Sequence, residues 1–214
     1  MVDKAKKEKP SAADFLPEDR SLESLRSAAS ACQGCELYKD ATQTVFGEGS
    51  VRPHILFVGE QPGDIEDKQG RPFVGPAGKL LDRALEEAGI ERSACYFTNT
   101  VKHFKFEWRG KRRLHKTPRQ IEINACLPWL KAEIGEVKPA LIVLLGATAA
   151  QAIFGKAFKI THERGKLLES YLAPRVMATV HPSSILRAID DDAREQEMAL
   201  FVSDLKHAAS FIQM

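Results

Sequence analysis

The chain has 214 residues, 43% of them hydrophobic and 28% charged, and a net charge of only +2. That balance excludes disordered and fibrous classes, no apolar run reaches membrane-spanning length, and the length suits one α/β domain that buries its core without disulfides. Any anionic partner must be met by local basic patches, and four unevenly spaced cysteines point to a metal site or buried thiols.

Residues 1–20 are rich in Lys, Ala, Pro and Asp and read as a flexible tail, leaving 21–214 as a single domain. The N-terminus lacks the apolar core of a signal peptide, so the protein is expected to be a cytoplasmic monomer, away from membranes. Ser21 caps a short helix through about Ala31 that delivers Cys32-Gln33-Gly34-Cys35. Four apolar runs, 54–58, 95–101, 140–145 and 175–180, read as buried strands. Between them fall helical patterns: Pro76 to Glu87, stopping at Gly89; a stretch from Thr117-Pro118 past Trp129, bent at Pro128; and Ala147 to Phe154. A last helix starts after Asp190-Asp191-Asp192, acids suited to an N-terminus, and runs toward Phe211. The alternation predicts a three-layer α/β/α sandwich with a central, mostly parallel four-stranded sheet.

Ligands of such sheets bind beyond the carboxyl ends of the strands, and the unusual residues of this chain collect there. Gly59-Glu60-Gln61-Pro62-Gly63 follows the first strand, Asn99 and Lys102-His103 end the second, Gly146-Ala147-Thr148 follows the third, and His181-Pro182-Ser183-Ser184 follows the fourth. Downstream of the first turn, Gly70-Arg71-Pro72-Phe73-Val74-Gly75-Pro76-Ala77-Gly78 sets a phenylalanine between Gly/Pro-rich segments, where it reads as displayed rather than packed. The helix beginning near Pro76 aims its N-terminal amides at the same region.

These motifs resemble the uracil-DNA glycosylase superfamily over roughly residues 30 to 210, most closely its iron-sulfur branch, family 4. The Gly59 to Gly78 stretch and the His181 to Arg187 segment match the family's two motifs. One departure stands between them. Where the family has a cysteine and a short Arg-Pro segment after the lysine, this chain has His103 and an extended segment to Pro118 with the core Lys111-Arg112-Arg113-Leu114-His115. That segment resembles UdgX, a branch that becomes covalently trapped on uracil-containing DNA through this histidine. The resemblance implies uracil-bearing DNA, single- or double-stranded, as the partner.

The chemistry of these residue types fits that expectation. Cleaving the N-glycosidic bond of deoxyuridine leaves a uracil anion and an oxocarbenium-like sugar. His181 can donate a hydrogen bond to uracil O2 as charge develops there. Asn99 carries both a donor and an acceptor for the edge of a flipped base, and Phe73 offers a face for stacking. Glu60, Gln61 and Asp64 are expected on the sugar side, where carboxylates favour the cation and position a water or nucleophile, and Gln61 also borders the base. Ser183, Ser184 and Arg187 are expected to touch DNA.

By composition the segment around Lys111, Arg112, Arg113 and Lys116, with Phe104, Phe106 and Trp108 upstream, is a phosphate-binding loop. The same four cations disfavour an imidazolium, which would leave His115 neutral and nucleophilic toward C1′, with Glu60 accepting its other N–H. For metal, Cys32 and Cys35 have ligand spacing and Cys126 lies in the helix after the loop, while Cys95 sits inside a strand as a structural thiol. The resemblance puts the remaining ligand at His103 and implies a [4Fe-4S] cluster; the donor set by itself suits zinc as well.

Overall fold

The computed structural model describes residues 10–211. In chain order its strands are β1 (Glu48–Gly49), β2 (Ile55–Gly59), β3 (Cys95–Asn99), β4 (Phe106–Arg109), β5 (Arg112–His115), β6 (Leu141–Leu145), β7 (Leu167–Leu168) and β8 (Arg175–Thr179). Its helices are α1 (Leu22–Ala29), α2 (Asp64–Gln69), α3 (Pro76–Glu87), α4 (Gln120–Val137), α5 (Ala147–Phe154), α6 (Ile160–Glu163), α7 (Pro182–Leu186) and α8 (Asp191–Ser210). None of these helices is long and apolar enough to cross a membrane.

The four expected strands form the parallel centre of the sheet in the order β3-β2-β6-β8. Two-residue strands pair antiparallel at the edges, β1 on β3 and β7 on β8, and make the sheet six-stranded. Period-two alternation divides the core between the two faces. Ile55, Phe57, Leu141, Val143 and Met177 pack against Leu81 and Leu85 of α3 and Phe201 and Leu205 of α8. Leu56, Val58, Ile142, Leu144 and Val176 pack against Leu130 and Ile134 of α4 and Ala149 and Ala150 of α5. Because strands are covered on both sides, their sequences read as continuous apolar runs.

Caps set several helix starts. Ser21 accepts the Ser24 amide, and Asp190 accepts the Ala193 amide at 2.7 Å with Asp191 and Asp192 in the first turn of α8. The helix expected from Thr117-Pro118 begins instead at Gln120, where the Glu122 carboxylate accepts the Arg119 amide at 2.6 Å; the operative signal is this glutamate three residues past the cap. Residues 11–16, expected as tail, pack on the body: Ser11 caps a 3-10 turn at Ala12–Phe15, and Ala12 is fully buried beside Leu25, Ile123 and Trp129. Residues 1–9 of that tail lie outside the described residues.

The connections from β2 and β6 leave in opposite directions. β2 leads through α2 and α3 to β3, and β6 leads through α5 to β8 on the other side. The point where strand order reverses is thus between the carboxyl ends of β2 and β6, the usual crevice for a ligand in an open α/β sheet.

Candidate active site

A cleft of about 1060 Å³ opens at this reversal point. Glu60, Gln61, Asp64, Phe73, Asn99, His115, His181, Ser183, Ser184 and Arg187 all line it, although they come from five separate segments of the chain. The cleft is bridged at its floor by Glu60, after β2, whose Oε2 accepts a hydrogen bond from Thr148 Oγ1, in the first turn of α5. Thr148 is a site residue that the sequence marks only by its place after a strand.

Two glycines allow the close approaches. A Cβ on Gly59 would lie 2.3 Å from Asn99 Oδ1 and 2.8 Å from Phe73 Cζ, so neither side chain could reach its position beside a larger residue. Gly146 has φ +92° and a Cβ there would meet the His181 Cβ at 3.0 Å.

Asn99 ends β3 almost wholly buried, and among the described residues no protein group bonds its side-chain amide. Its backbone carbonyl accepts a bond from Lys102 Nζ at 2.7 Å. Lys102 is 1% exposed, bonds Thr98 Oγ1 at 2.6 Å and pairs with the fully buried Glu133, which also accepts from Tyr96 Oη at 3.1 Å and the Gly47 amide at 2.9 Å. A buried charge pair thus stands directly behind the candidate base-reading residue, with its polar atoms satisfied.

Phe73 differs from expectation. It is 5% exposed and belongs to the core beneath α3, with its ring 6.0 Å from Phe97 and 6.3 Å from the His181 imidazole at 27°. One part of it still reaches the cleft, and its φ of +54°, strained for a phenylalanine, is what turns the ring there.

His181 caps α7. Its Nδ1 accepts the Ser183 amide at 3.1 Å, so Nε2 carries the proton and is the donor. Burial pushes the ring down to about 4, against the pull of the Glu60 carboxylate, and it is neutral at pH 7. Glu60 behaves oppositely: burial raises its carboxyl, but the contacts with His115 and Thr148 outweigh this and hold it below the ordinary range.

The segment expected as a loop is a β-hairpin of β4 and β5, with Phe106 opposite His115 and Trp108 opposite Arg113. Gln61 fastens its base: Nε2 donates to the Lys105 and Lys116 carbonyls, each at 3.1 Å, and Oε1 accepts the Lys105 amide at 2.9 Å. The Gln61 amide is therefore engaged by the hairpin rather than turned to a ligand. His115, half exposed, lies with Nε2 3.2 Å from Glu60 Oε1. The approach is within ion-pair range but off hydrogen-bond geometry, and Oε1 has no hydrogen-bond partner.

Arg113 corrects the expected set of phosphate contacts. Its side chain is 9% exposed, held by Asp64 at 2.6 Å and Asp67 at 2.7 Å, with its guanidinium 4.9 Å from the Phe106 ring centre. It anchors the hairpin to α2, and Asp64, expected on the sugar side, spends its oxygens on Arg113 and Lys68. Lys116 pairs with Glu107 at 2.8 Å. Among the described residues, the hairpin cations without a carboxylate partner are Arg109, Lys111 and Arg112. The Glu60 carboxylate, expected beside the His115 ring, stands 3.2 Å from its Nε2.

Beside the Val101–Lys102 stretch that follows β3, Cys32, Cys35 and Cys126 share one cluster with α1 and α4. Each sulfur receives an N–H: Cys32 from Trp129 Nε1 at 3.3 Å and the Gly34 amide at 3.5 Å, Cys126 from the Lys102 amide at 3.3 Å, and Cys35 from the Leu37 amide. His103, 5% exposed, has Nε2 2.9 Å from Thr44 Oγ1, whose own proton goes to the Ala29 carbonyl at 2.9 Å. Nε2 must then be the donor, and Nδ1 keeps its lone pair. Burial pushes this ring down to about 4, against the Asp67 charge, so it too is neutral. Among the described residues no three of the His, Cys, Asp and Glu side chains stand close enough to hold a single ion. Cys95 is buried in β3 with its thiol pushed up to about 12 by burial, as befits a structural cysteine.

A model of the uracil DNA glycosylase superfamily matches residues 46–206, a span that takes in every lining residue of the cleft and the hairpin. The chain is 38% identical over 193 residues to a type-4 uracil-DNA glycosylase of Thermotoga maritima, covering 90% of this chain and 95% of that one. Type-4 uracil-DNA glycosylases of Pyrobaculum aerophilum and Sulfurisphaera tokodaii are 36% and 38% identical, each over 78% of this chain and over 85% and 76% of their own. With its sheet, its two motif turns and most of its length matched, the chain belongs to the uracil-DNA glycosylase superfamily.

Proposed function

We propose that this protein excises uracil from DNA and that His115 then captures the deoxyribose. The observation that carries the second step is the 3.2 Å approach of His115 Nε2 to Glu60 Oε1 in the cleft that also holds Asn99, Phe73 and His181. In this reading a flipped uracil enters the cleft, the open amide of Asn99 meets its O4 and N3–H, and Phe73 borders its face. As the bond from C1′ to N1 breaks, its electron pair passes to uracil, and charge on O2 meets the neutral Nε2–H of His181, fixed before the reaction by the Ser183 amide. Glu60, ionised, lies where the sugar becomes cationic.

The imidazole of His115 then bonds C1′ through one nitrogen. The proton on the other nitrogen leaves through Glu60 or water, and one proton reaches the uracil anion, so the products are a histidine adduct of the sugar and free uracil. Lys111 and Arg112 hold the backbone beside it, with Ser183, Ser184 and Arg187 on the far rim. The names of the relatives favour a second reading in which water takes the sugar cation and the enzyme turns over. A denaturing gel after mixing with a uracil-bearing oligonucleotide tests the pair: a retarded band stable to heat and detergent supports capture, and an abasic product with no retarded band supports turnover.

We also assign Cys32, Cys35, Cys126 and Nδ1 of His103 as the residues that would hold a [4Fe-4S] cluster. The N–H donors around each sulfur suit thiolate ligands, and the Thr44 bond fixes the His103 tautomer that leaves a nitrogen for iron. Bound there, the cluster would brace α1 and α4 against the β3 end, since the reaction is redox-neutral.

A further inference from the structure

Trp108 is 67% exposed, the most exposed tryptophan position a chain with two tryptophans has to offer, since Trp129 is fully buried. An exposed indole beside unpaired cations offers a stacking face for a nucleobase. Its two upstream aromatic neighbours are not free: Phe104 is 1% exposed, and Phe106 stacks on it at 5.2 Å. Trp108 meets Phe106 edge to face, 5.5 Å apart at 90°, and Phe106 is in turn covered by the Arg113 guanidinium that Asp64 and Asp67 pin. The platform under the indole is therefore rigid before any ligand arrives, which reduces the entropy lost on binding.

Beside the indole runs a second cleft of about 560 Å³ between the hairpin and α2, lined by Trp108, Phe106, Lys111, Arg112 and Asp64. Asp64 also lines the main cleft, so the two adjoin at that residue. Arg109, Lys111 and Arg112 are the hairpin cations without a carboxylate partner among the described residues, and of these Lys111 and Arg112 line this second cleft. Trp108 lies two residues past Phe106, which is opposite His115, or about 7 Å along the hairpin at strand rise. That is about two steps of a stacked nucleic-acid strand.

We propose that this cleft is a subsite for one unpaired nucleobase of the DNA strand, stacked on Trp108 about two nucleotides from the base in the main cleft, with its phosphate on Lys111 and Arg112. The inference rests on the reading of DNA as the substrate. The occupant is a base of a single strand because stacking needs an uncovered face, which bases inside a duplex do not offer, and the site takes any of the four bases because each has such a face.

The test uses the full protein and a thymine-only oligonucleotide of about ten nucleotides, without uracil, followed by tryptophan fluorescence. Binding should quench the emission of Trp108. Trp108→Ala should abolish the quench and weaken binding of this oligonucleotide by about 5- to 150-fold, the range of one lost base-aromatic stack. Trp108→Phe should keep most of the affinity, and blunt duplex should bind both variants as it binds the wild type. Unchanged single-strand affinity in Trp108→Ala would overturn the proposal, and so would an equal loss on duplex, which would make Trp108 a general contact. Uracil release is measured separately: an oligonucleotide that quenches a protein unable to release uracil refutes the excision reading and leaves the subsite standing, whereas normal release without quenching does the reverse.

Discussion

Lys102 holds Asn99 from behind: its buried Nζ donates to the Asn99 carbonyl at 2.7 Å while its charge is matched by Glu133. Lys102→Met would strand the Glu133 carboxylate in the core, a loss of about 3–5 kcal/mol. Thermal denaturation should show it. A double variant, Lys102→Met with Glu133→Leu, removes both charges and should recover most of that stability, yet it lacks the bond to Asn99 and should discriminate uracil from cytosine less sharply. Full discrimination in the double variant would show that Lys102 does not position Asn99.

Asn99→Ala removes the open donor and acceptor from the cleft. At about 1–3 kcal/mol for each of the two unmet polar groups of the base, uracil excision should fall by about 30-fold or more, with a smaller effect on DNA affinity. Single-turnover rates on uracil-bearing DNA check this, and a rate near wild type would move the base elsewhere.

Neutral His181 implies a defined acid response. Its pKa of about 4 in the fold lies below the 6.5 of an unfolded histidine, so the unfolded chain binds a proton first as pH falls. The contribution of this residue to stability is complete above about pH 6.5, is lost progressively down to about pH 4, and changes no further below. Between about pH 7 and 5, then, the denaturation midpoint should drop while the single-turnover rate of uracil release holds, because the Nε2 donor is unchanged. His181→Gln should shrink the drop.

The two hairpin arginines should part company. Arg112→Glu should weaken DNA binding and reduce the salt slope by about 0.7 or more on single strands. Arg113→Ala should instead free the hairpin from Asp64 and Asp67, seen as faster amide exchange at Phe106 to His115. A fall in salt slope without faster exchange in Arg113→Ala would return this residue to the phosphate contacts.

If the cysteine site holds the cluster, the purified protein should be brown. Cys32→Ala and Cys126→Ala should bleach it and Cys95→Ala should not. A colourless anaerobic preparation with one zinc per chain would refute the assignment.

Much of this architecture was legible in the sequence, for identifiable reasons. The four central strands are buried on both faces and so appear as apolar runs, and the residues at their carboxyl ends, Glu60, Asn99, Thr148 and His181, converge because parallel strands all point their ends the same way. Edge strands β1 and β7 are two residues long and carry no periodicity to read. The hairpin is hard to read because half of Phe106-Glu107-Trp108-Arg109 and Arg112-Arg113-Leu114-His115 is charged, and charge at that density resembles a solvated loop until the cross-strand partners are known. Arg113 shows the same limit: nothing local separates it from Arg112, and only the carboxylates of Asp64 and Asp67, brought in by α2, turn one inward and leave the other out. Phe73 reads as displayed because glycine and proline flank it, and only the fold brings Phe97 of β3 against its ring.

The most direct measurement concerns His115. Wild-type protein mixed with uracil-bearing DNA should give a complex stable to heat and detergent, one DNA per chain, with free uracil released and the adduct mapping to His115 by peptide mass. His115→Ser leaves Asn99, His181 and Glu60 in place and admits water beside Glu60, so the crosslink should vanish while uracil release continues with repeated turnovers. Repeated turnover by the wild type with no crosslink, or an adduct on any other residue, would contradict capture by His115.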